Sequence, residues 1–322
     1  MSTEATSKKV VYAALTGNVA IAITKFGAAT YTGSSAMLSE GVHSLVDSAN
    51  ELLLLYGLKR ASRPPDASQP FGYGRELYFW SFIVALLVFA LGALISIYEG
   101  VDQLRDPEVV RSPLINYVVL GLSMLFEGAS SWVAFQAFRA KKGDMGYFEA
   151  FRRSKDAVTI TVLIENVAAL LGLLIAAVGL ALAQWLQIPQ LDGVASIAIG
   201  VLLALAALLL ARETKALLIG ESAGSAVDAA ICRIAGEDDA IRSANGVFTV
   251  QLGPDHVLAS LSAEFEDALT TGQVEDSIRR IESKIRESYP QLSALFVKPQ
   301  TPETWRRQLQ RGVDSSTAGQ SD

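Results

Sequence analysis

The chain has 322 residues, 51% of them hydrophobic and only 19% charged, with a formal net charge of -6. The apolar residues are gathered into long blocks instead of recurring with a core-face period, which is the composition of a membrane protein. Up to residue 211 the basic residues fall mostly in short connections between the blocks, and nucleic-acid binding has no support in the sequence. The single cysteine, Cys232, excludes an internal disulfide or a thiolate metal cluster within one chain.

In chain order the blocks are 10–30, 35–58, 77–98, 113–138, 157–182 and 191–211. Each is about 20 residues or more, enough to cross a hydrocarbon core of roughly 30 Å as helix. The first is too long for a signal-peptide core and has no small-residue cleavage site, so it is expected to remain as a span. Lys8 and Lys9 precede it. Lys59, Arg60, Arg63 and Arg75 fill the connection between blocks 2 and 3, and Arg139, Lys141, Lys142, Arg152, Arg153 and Lys155 fill the one between 4 and 5. The connections near Thr32 and Gln187 carry no basic residue, and Arg105 and Arg111 are offset by Asp102, Asp106 and Glu108. By the positive-inside rule the six spans place residues 1–9 and the C-terminus in the cytoplasm, at the inner membrane if the chain is bacterial.

After Arg212 the pattern changes. Segment 222–235 has helical spacing, 247–252 and 257–265 alternate as strands, 273–289 is an amphipathic helix, and "LSALFVKP" returns to strand. The expected fold is an α-helical membrane protein of six transmembrane helices over 10–212, followed by a small α+β domain of order αββαβ over 213–300. Residues 301–322, ending "GVDSSTAGQSD", have little to bury and are expected to be largely disordered.

Ionisable side chains at membrane depth are expensive, and their default reading is an ion or proton pathway. Block 2 carries Glu40, His43, Asp47, Asn50 and Glu51 on one helical stripe. His43 and Asp47 stand four residues apart and point the same way, which lets an imidazole nitrogen and a carboxylate oxygen hold one small divalent ion from a single helix. Block 5 has Glu165 and Asn166 near its middle and block 4 has Glu127. Block 1 holds Asn18, which is either a ligand or a helix–helix contact, and Lys25, which either snorkels to an interface or joins the pathway. Glu51 lies one turn beyond Asp47, where it would line an entry path, and Glu127 either joins the pathway or pairs with a neighbouring helix.

Three stretches then match a known family: "SSAMLSEGVHSLVDSANELLLLYGL", the loop "RPPDASQPFGYGRE", and "SIYEGVDQLRDPE" after block 3. Together they resemble the cation diffusion facilitator family of metal/proton antiporters over nearly the whole chain. The resemblance implies six spans, cytoplasmic termini, and a metallochaperone-like C-terminal domain through which two copies dimerise. It also implies an ion site between spans 2 and 5 with paired ligands four residues apart on each. His43 and Asp47 match that pattern. Span 5 departs from it, with Val162 at the first ligand position, Asn166 at the second and Glu165 beside it. It resembles the branch of the family with a Glu-Asp motif there, here Glu-Asn. The implied site is His43, Asp47, Glu165 and Asn166, with Glu40, Asn50, Glu51, Glu127 and Asn18 as pathway or proton-relay positions. The C-terminal domain has one histidine, His256, and is expected to dimerise without bound metal.

One imidazole with oxygens suits zinc, then iron(II) or manganese(II). The expectation is a transporter and not an enzyme, exporting such a cation against protons by alternating access, with the cargo as its only metal. Its partners would be a second copy of the chain, the bilayer, metal and protons. A passive channel would need a continuous lined pore, and an intramembrane metalloenzyme would need a signature such as HExxH, which is missing.

Overall fold

The computed structural model describes residues 2–110, 112–142, 146–147, 149–150 and 156–318, with the side chains of 2–14, 16, 17, 137, 140, 141 and 312–318 excepted. The basic side chains of Lys8, Lys9, Arg111, Lys141, Arg152, Arg153 and Lys155, on which much of the expected orientation rests, lie outside this set.

The chain divides into two compact units: one runs to Arg63 and resumes at Glu76–Lys215, and the other comprises Pro64–Arg75 and the chain from Ala216 onward. The first unit is helical. It contains α1 (Ser2–Thr32), α2 (Ser35–Ala61), α3 (Arg75–Leu87), a π-helical segment (Val88–Ala93), α4 (Leu94–Arg105), α5 (Pro113–Lys142), α6 (Ala157–Leu186) and α7 (Gln190–Ile219). Local signals set the boundaries. Gly33, at φ 73°, makes the tight turn between α1 and α2, and the Ser34 hydroxyl caps α2 by accepting from Met37 N at 3.2 Å. Pro113 opens α5, where its missing N–H costs nothing. Asp156 caps α6 by accepting from Thr159 N and Oγ1 at 3.1 and 2.6 Å.

Among the described residues four helical stretches are long and apolar enough to cross a membrane: Arg75–Arg105, Pro113–Gln136, Ala157–Leu186 and Gln190–Ile219. The six expected blocks are all helical, but α1 and α2 are not among these four. In α2 the reason is the polar stripe itself, since Glu40, His43, Asp47, Asn50 and Glu51 offset the leucines around them.

Helix α2 packs against α1, α4, the π segment and α6. The core joins Met37, Val42 and Val46 of α2 to Leu173, Ala176 and Leu180 of α6 and to Ile199 and Leu203 of α7. The α4–α7 crossing depends on the absence of side chains: a Cβ on Gly193 would stand 2.8 Å from the Gly100 carbonyl oxygen, and one on Gly100 would stand 2.6 Å from that of Gly193. Without a hydrophobic drive between helices in lipid, such close approach is a main source of association.

The second unit is an α/β layer of α8 (Ser225–Gly236), β1 (Ile241–Gly253), β2 (His256–Phe265), α9 (Thr271–Ser288) and β3 (Leu292–Pro299), the order read from the sequence. Strand β2 is central, antiparallel to β1 and parallel to β3. Alternate residues of β2, Val257, Ala259, Leu261 and Ala263, pack with Ile231 and Ile234 of α8 and Ile281 and Ile285 of α9. Asp238 ties α9 to the start of β1: its carboxylate accepts from Arg280 Nε and Nη2 at 3.0 Å each, from Ser277 Oγ at 2.9 Å and from Ala240 N at 3.1 Å. Burial pushes this carboxyl up, but the bonds from Arg280, Ser277 and Ala240 outweigh it and hold the group below its usual value.

Two features differ from the sequence expectation. The tail does not stay unfolded at residue 301: α10 (Pro302–Ala318) forms, and Trp305 packs on Phe248 of β1 with ring centroids 4.8 Å apart. Trp305 fits because position 246 is glycine, where a Cβ would stand 2.7 Å from the indole. The loop "PPDASQPFGYGR" is likewise part of this unit. Phe71 meets Phe296 edge-on at 6.3 Å, and a Cβ on Gly74 would collide with the Leu252 carbonyl. Within the loop, Asp66 accepts from the Tyr73 hydroxyl at 2.7 Å, from the Ser68 hydroxyl and N at 2.7 and 2.8 Å, and from Gln69 N at 2.9 Å. These bonds, the tyrosine's foremost, hold its carboxyl well below the usual range.

Two outcomes test this packing. Gly193→Leu is expected to destabilise the helical unit by about 1–3 kcal/mol, the usual cost of overpacking, seen as a lower melting temperature and less monodisperse protein. Asp238→Asn is expected to cost about 1–3 kcal/mol at neutral pH by leaving Arg280 poorly paired. Because the folded carboxyl titrates below its unfolded value of 3.8, its contribution is complete above that pH and lost as pH falls through the folded value. The stability gap between wild type and variant, measured by denaturant unfolding, should therefore close on acidification.

Candidate functional site

His43 and Asp47 lie in the third and fourth turns of α2, inside the helical unit. His43 is 1% exposed and its Nδ1 faces Asp47 Oδ1 at 3.4 Å, close but without hydrogen-bond geometry. Both ring nitrogens of His43 and Oδ1 of Asp47 are buried with no protein partner. Buried polar atoms are nearly always satisfied, so this cluster of exceptions marks the candidate site. Facing α2, helix α6 contributes two more unpartnered atoms, Asn166 Nδ2 and Thr161 Oγ1.

The other polar residues of the stripe have partners. Glu165 Oε1 accepts from Asn50 Nδ2 at 2.6 Å, which leaves Asn50 Oδ1 buried and unpartnered. Asn18 on α1 donates to Glu51 on α2 at 3.2 Å, the helix–helix alternative for that asparagine. Lys25 does not snorkel. It is fully buried, with Nζ 3.0 Å from Glu40 Oε2 and 2.8 Å from Ser44 Oγ. The other Glu40 oxygen is unpartnered and occupies the space that a Cβ on Gly172 of α6 would fill. Glu127 is 8% exposed on α5.

The structure thus brings His43 and Asp47 together and engages Glu165 with Asn50. Among the described residues no three His, Cys, Asp or Glu side chains form a group able to hold a metal ion. Val162, at the first ligand position of the resemblance, presents only methyl groups. Thr161, one residue before it and four before Glu165, was not singled out by sequence because a threonine in an apolar helix ordinarily bonds its own backbone. The spacing from Glu165 was the available signal.

Two further features escaped the sequence. Asp192, in the first turn of α7, accepts from Ser34 Oγ at 2.8 Å, from Ser35 N and Oγ at 2.6 and 3.1 Å, and from Ala36 N at 3.3 Å. It caps α2 from another helix, satisfying N–H groups that would otherwise be orphaned. A cavity of about 270 Å³ opens between the α1–α2 turn and the end of α4, lined in part by Glu99, Asp102, Asp106 and Glu108. In the second unit His256 is exposed and its Nδ1 is 2.9 Å from Ser293 Oγ.

Comparison with known proteins shows the family. The cation efflux transmembrane domain family matches residues 11–219. The chain is 32% identical over 265 residues to the human proton-coupled zinc antiporter SLC30A9, mitochondrial, covering 82% of this chain and 47% of that protein. It is 36% identical over 218 residues to metal tolerance protein C4 of Arabidopsis thaliana, covering 67% of this chain and 48% of that one. With the cation-efflux pump FieF of Cronobacter sakazakii it shares 25% identity over 273 residues, 83% of this chain and 84% of the pump. The chain spans about half the length of the first two relatives. The family match runs through α1 to the last residue of α7 and takes in every residue of the His43–Asp47 neighbourhood, and the chain belongs to the cation efflux, or cation diffusion facilitator, family.

Proposed function

We propose that the chain exports a divalent transition-metal cation from the cytoplasm in exchange for protons, with zinc as the favoured cargo. The observation that carries this reading is the buried, unpartnered pair His43 Nδ1 and Asp47 Oδ1 at 3.4 Å. A tetrahedral zinc ion with bonds of about 2.0–2.1 Å separates two ligands by roughly 3.3–3.4 Å. That spacing accommodates zinc, and the donor set of one imidazole with oxygens favours it, with iron(II) or manganese(II) as the second reading. The two similar proteins named as a zinc antiporter and a metal tolerance protein support the same class of cargo.

His43 and Asp47 supply two ligands from α2. Asn166 supplies its amide oxygen from α6, and Glu165 joins by exchanging its bond from Asn50 for the ion, with Thr161 and water within the same seam. Protons and metal compete for the same ligands, so proton arrival on the far side weakens coordination and releases the ion. Helices α1 and α2 complete six spans, because the polar face that lowers the hydropathy of α2 is turned towards other helices and away from lipid. Two copies join through the C-terminal unit, without metal at His256.

Asp47→Ala is expected to abolish zinc-driven proton counterflow in sealed proteoliposomes while expression and size-exclusion profile stay as in wild type; normal counterflow would sink the site, and zinc flux without any counterflow in the wild type would favour a channel. Glu165→Gln is expected to weaken zinc binding about tenfold by isothermal titration. Unchanged affinity would leave Glu165 as a partner of Asn50 only. His256→Ala should leave the dimer intact by light scattering, whereas a chain ended after Arg212 should dissociate at lower dilution.

A further inference from the structure

Lys25 is the one buried ammonium in the described part of the helical unit for which the proposed transport chemistry has no use. Its partners place it within the polar stripe. Glu40, His43, Ser44 and Asp47 stand at i, i+3, i+4 and i+7 on α2, so they share one face. The ammonium lies 3.0 Å from Glu40 Oε2 and 2.8 Å from Ser44 Oγ. At a rise of about 1.5 Å per residue, Ser44 is roughly 6 Å further along the axis than Glu40 and about 4.5 Å short of Asp47. The ammonium therefore bridges Glu40 and Ser44, the chain neighbour of His43, within the stripe that carries the His43–Asp47 pair. Nothing about packing requires a lysine here: a buried ion pair is often no more stabilising than apolar side chains of the same volume. Gly172 leaves room for the free Glu40 oxygen by having no side chain.

We infer that Lys25 is an affinity-setting residue: its tethered ammonium, held by Glu40 and Ser44 beside the cargo ligands, weakens their grip on a divalent cation and so speeds its release. A fixed positive charge repels a divalent ion twice as strongly as a monovalent one, and at low dielectric with little salt the repulsion is barely screened. Lys25 acts as a positioning residue through the field it imposes and touches no cargo. The inference rests on the reading of His43 and Asp47 as the binding pair.

The test is zinc binding and zinc transport by the full-length chain, with zinc chloride alone as the probe. Lys25→Met keeps the length and removes the charge. It is expected to lower the dissociation constant for zinc about tenfold and to reduce the KM and the maximal rate of transport together, because release becomes limiting. Glu40→Gln, which strips the ammonium of its counter-charge, is expected to shift the dissociation constant about tenfold the other way. A merely structural pair would weaken binding in both variants, or change neither, and either result overturns the inference. If Lys25→Met alone does not fold, the neutral double variant Lys25→Met with Glu40→Gln is compared with Glu40→Gln. Tighter zinc binding in the double supports the inference, and equal or weaker binding overturns it. Asp47→Ala separates the two levels: if that variant still binds zinc as wild type does, the site reading falls, whereas if it loses zinc and Lys25→Met shows no tightening, only the role of Lys25 falls.

Discussion

Hydrocarbon does not accept an unpaired charge, and the helical unit is arranged around the one helix that breaks that rule most often. Helix α2 carries a stripe of five polar residues along its length. Each has to be enclosed by another helix, which is why α1, α4, α6 and α7 gather on it and not on one another alone. Lys25 neutralises Glu40, Asn18 reaches Glu51, Asn50 reaches Glu165, and Asp192 secures the first turn. Once these ties are made, His43 and Asp47 are left with buried atoms that no protein group satisfies. The unpartnered pair is a residue of the packing scheme, and it marks the candidate site.

The separation of roles along α2 follows from the same constraint. Polar atoms that find a protein partner fix the helix, and those that do not are free to exchange ligands. Glu165 stands on the border, bonded to Asn50 yet adjacent to Asn166, whose amide nitrogen has no partner. A carboxylate with a weak neutral partner can be recruited at modest cost, whereas one locked to an ammonium, as Glu40 is, cannot. That contrast ranks the acidic residues of the stripe better than their sequence positions do.

Much of this was legible in the sequence because it is written in periodicity. The helical blocks, the α-β-β-α-β order and the shared face of Glu40, His43 and Asp47 follow from spacings of 3.6 and 2 residues. What periodicity does not encode is the partner. Nothing local pairs Lys25 with Glu40, 15 residues away across a tight turn, or sends Asp192 to serine hydroxyls more than 150 residues earlier. Residues 302–318 looked too polar to fold because the contact that anchors their start is tertiary: the receptor of the Trp305 indole, Phe248 beside Gly246, lies in another element. Thr161 was invisible for a similar reason, since only the tertiary structure shows that its hydroxyl lacks a partner.

The capping of α2 by Asp192 bears on how the helix can move. Four bonds join the first turn of α2 to a carboxylate rooted in α7, so that end behaves as a pivot and the helix as a lever. At about 1.5 Å per residue, a tilt of about 10° around Ser35 displaces Asp47 by roughly 3 Å and Ala61 by roughly 7 Å. Asp47, near the middle of the lever, travels less than half as far as the far end. A small rotation at a fixed serine turn thereby becomes a wide opening at the opposite end of the helix.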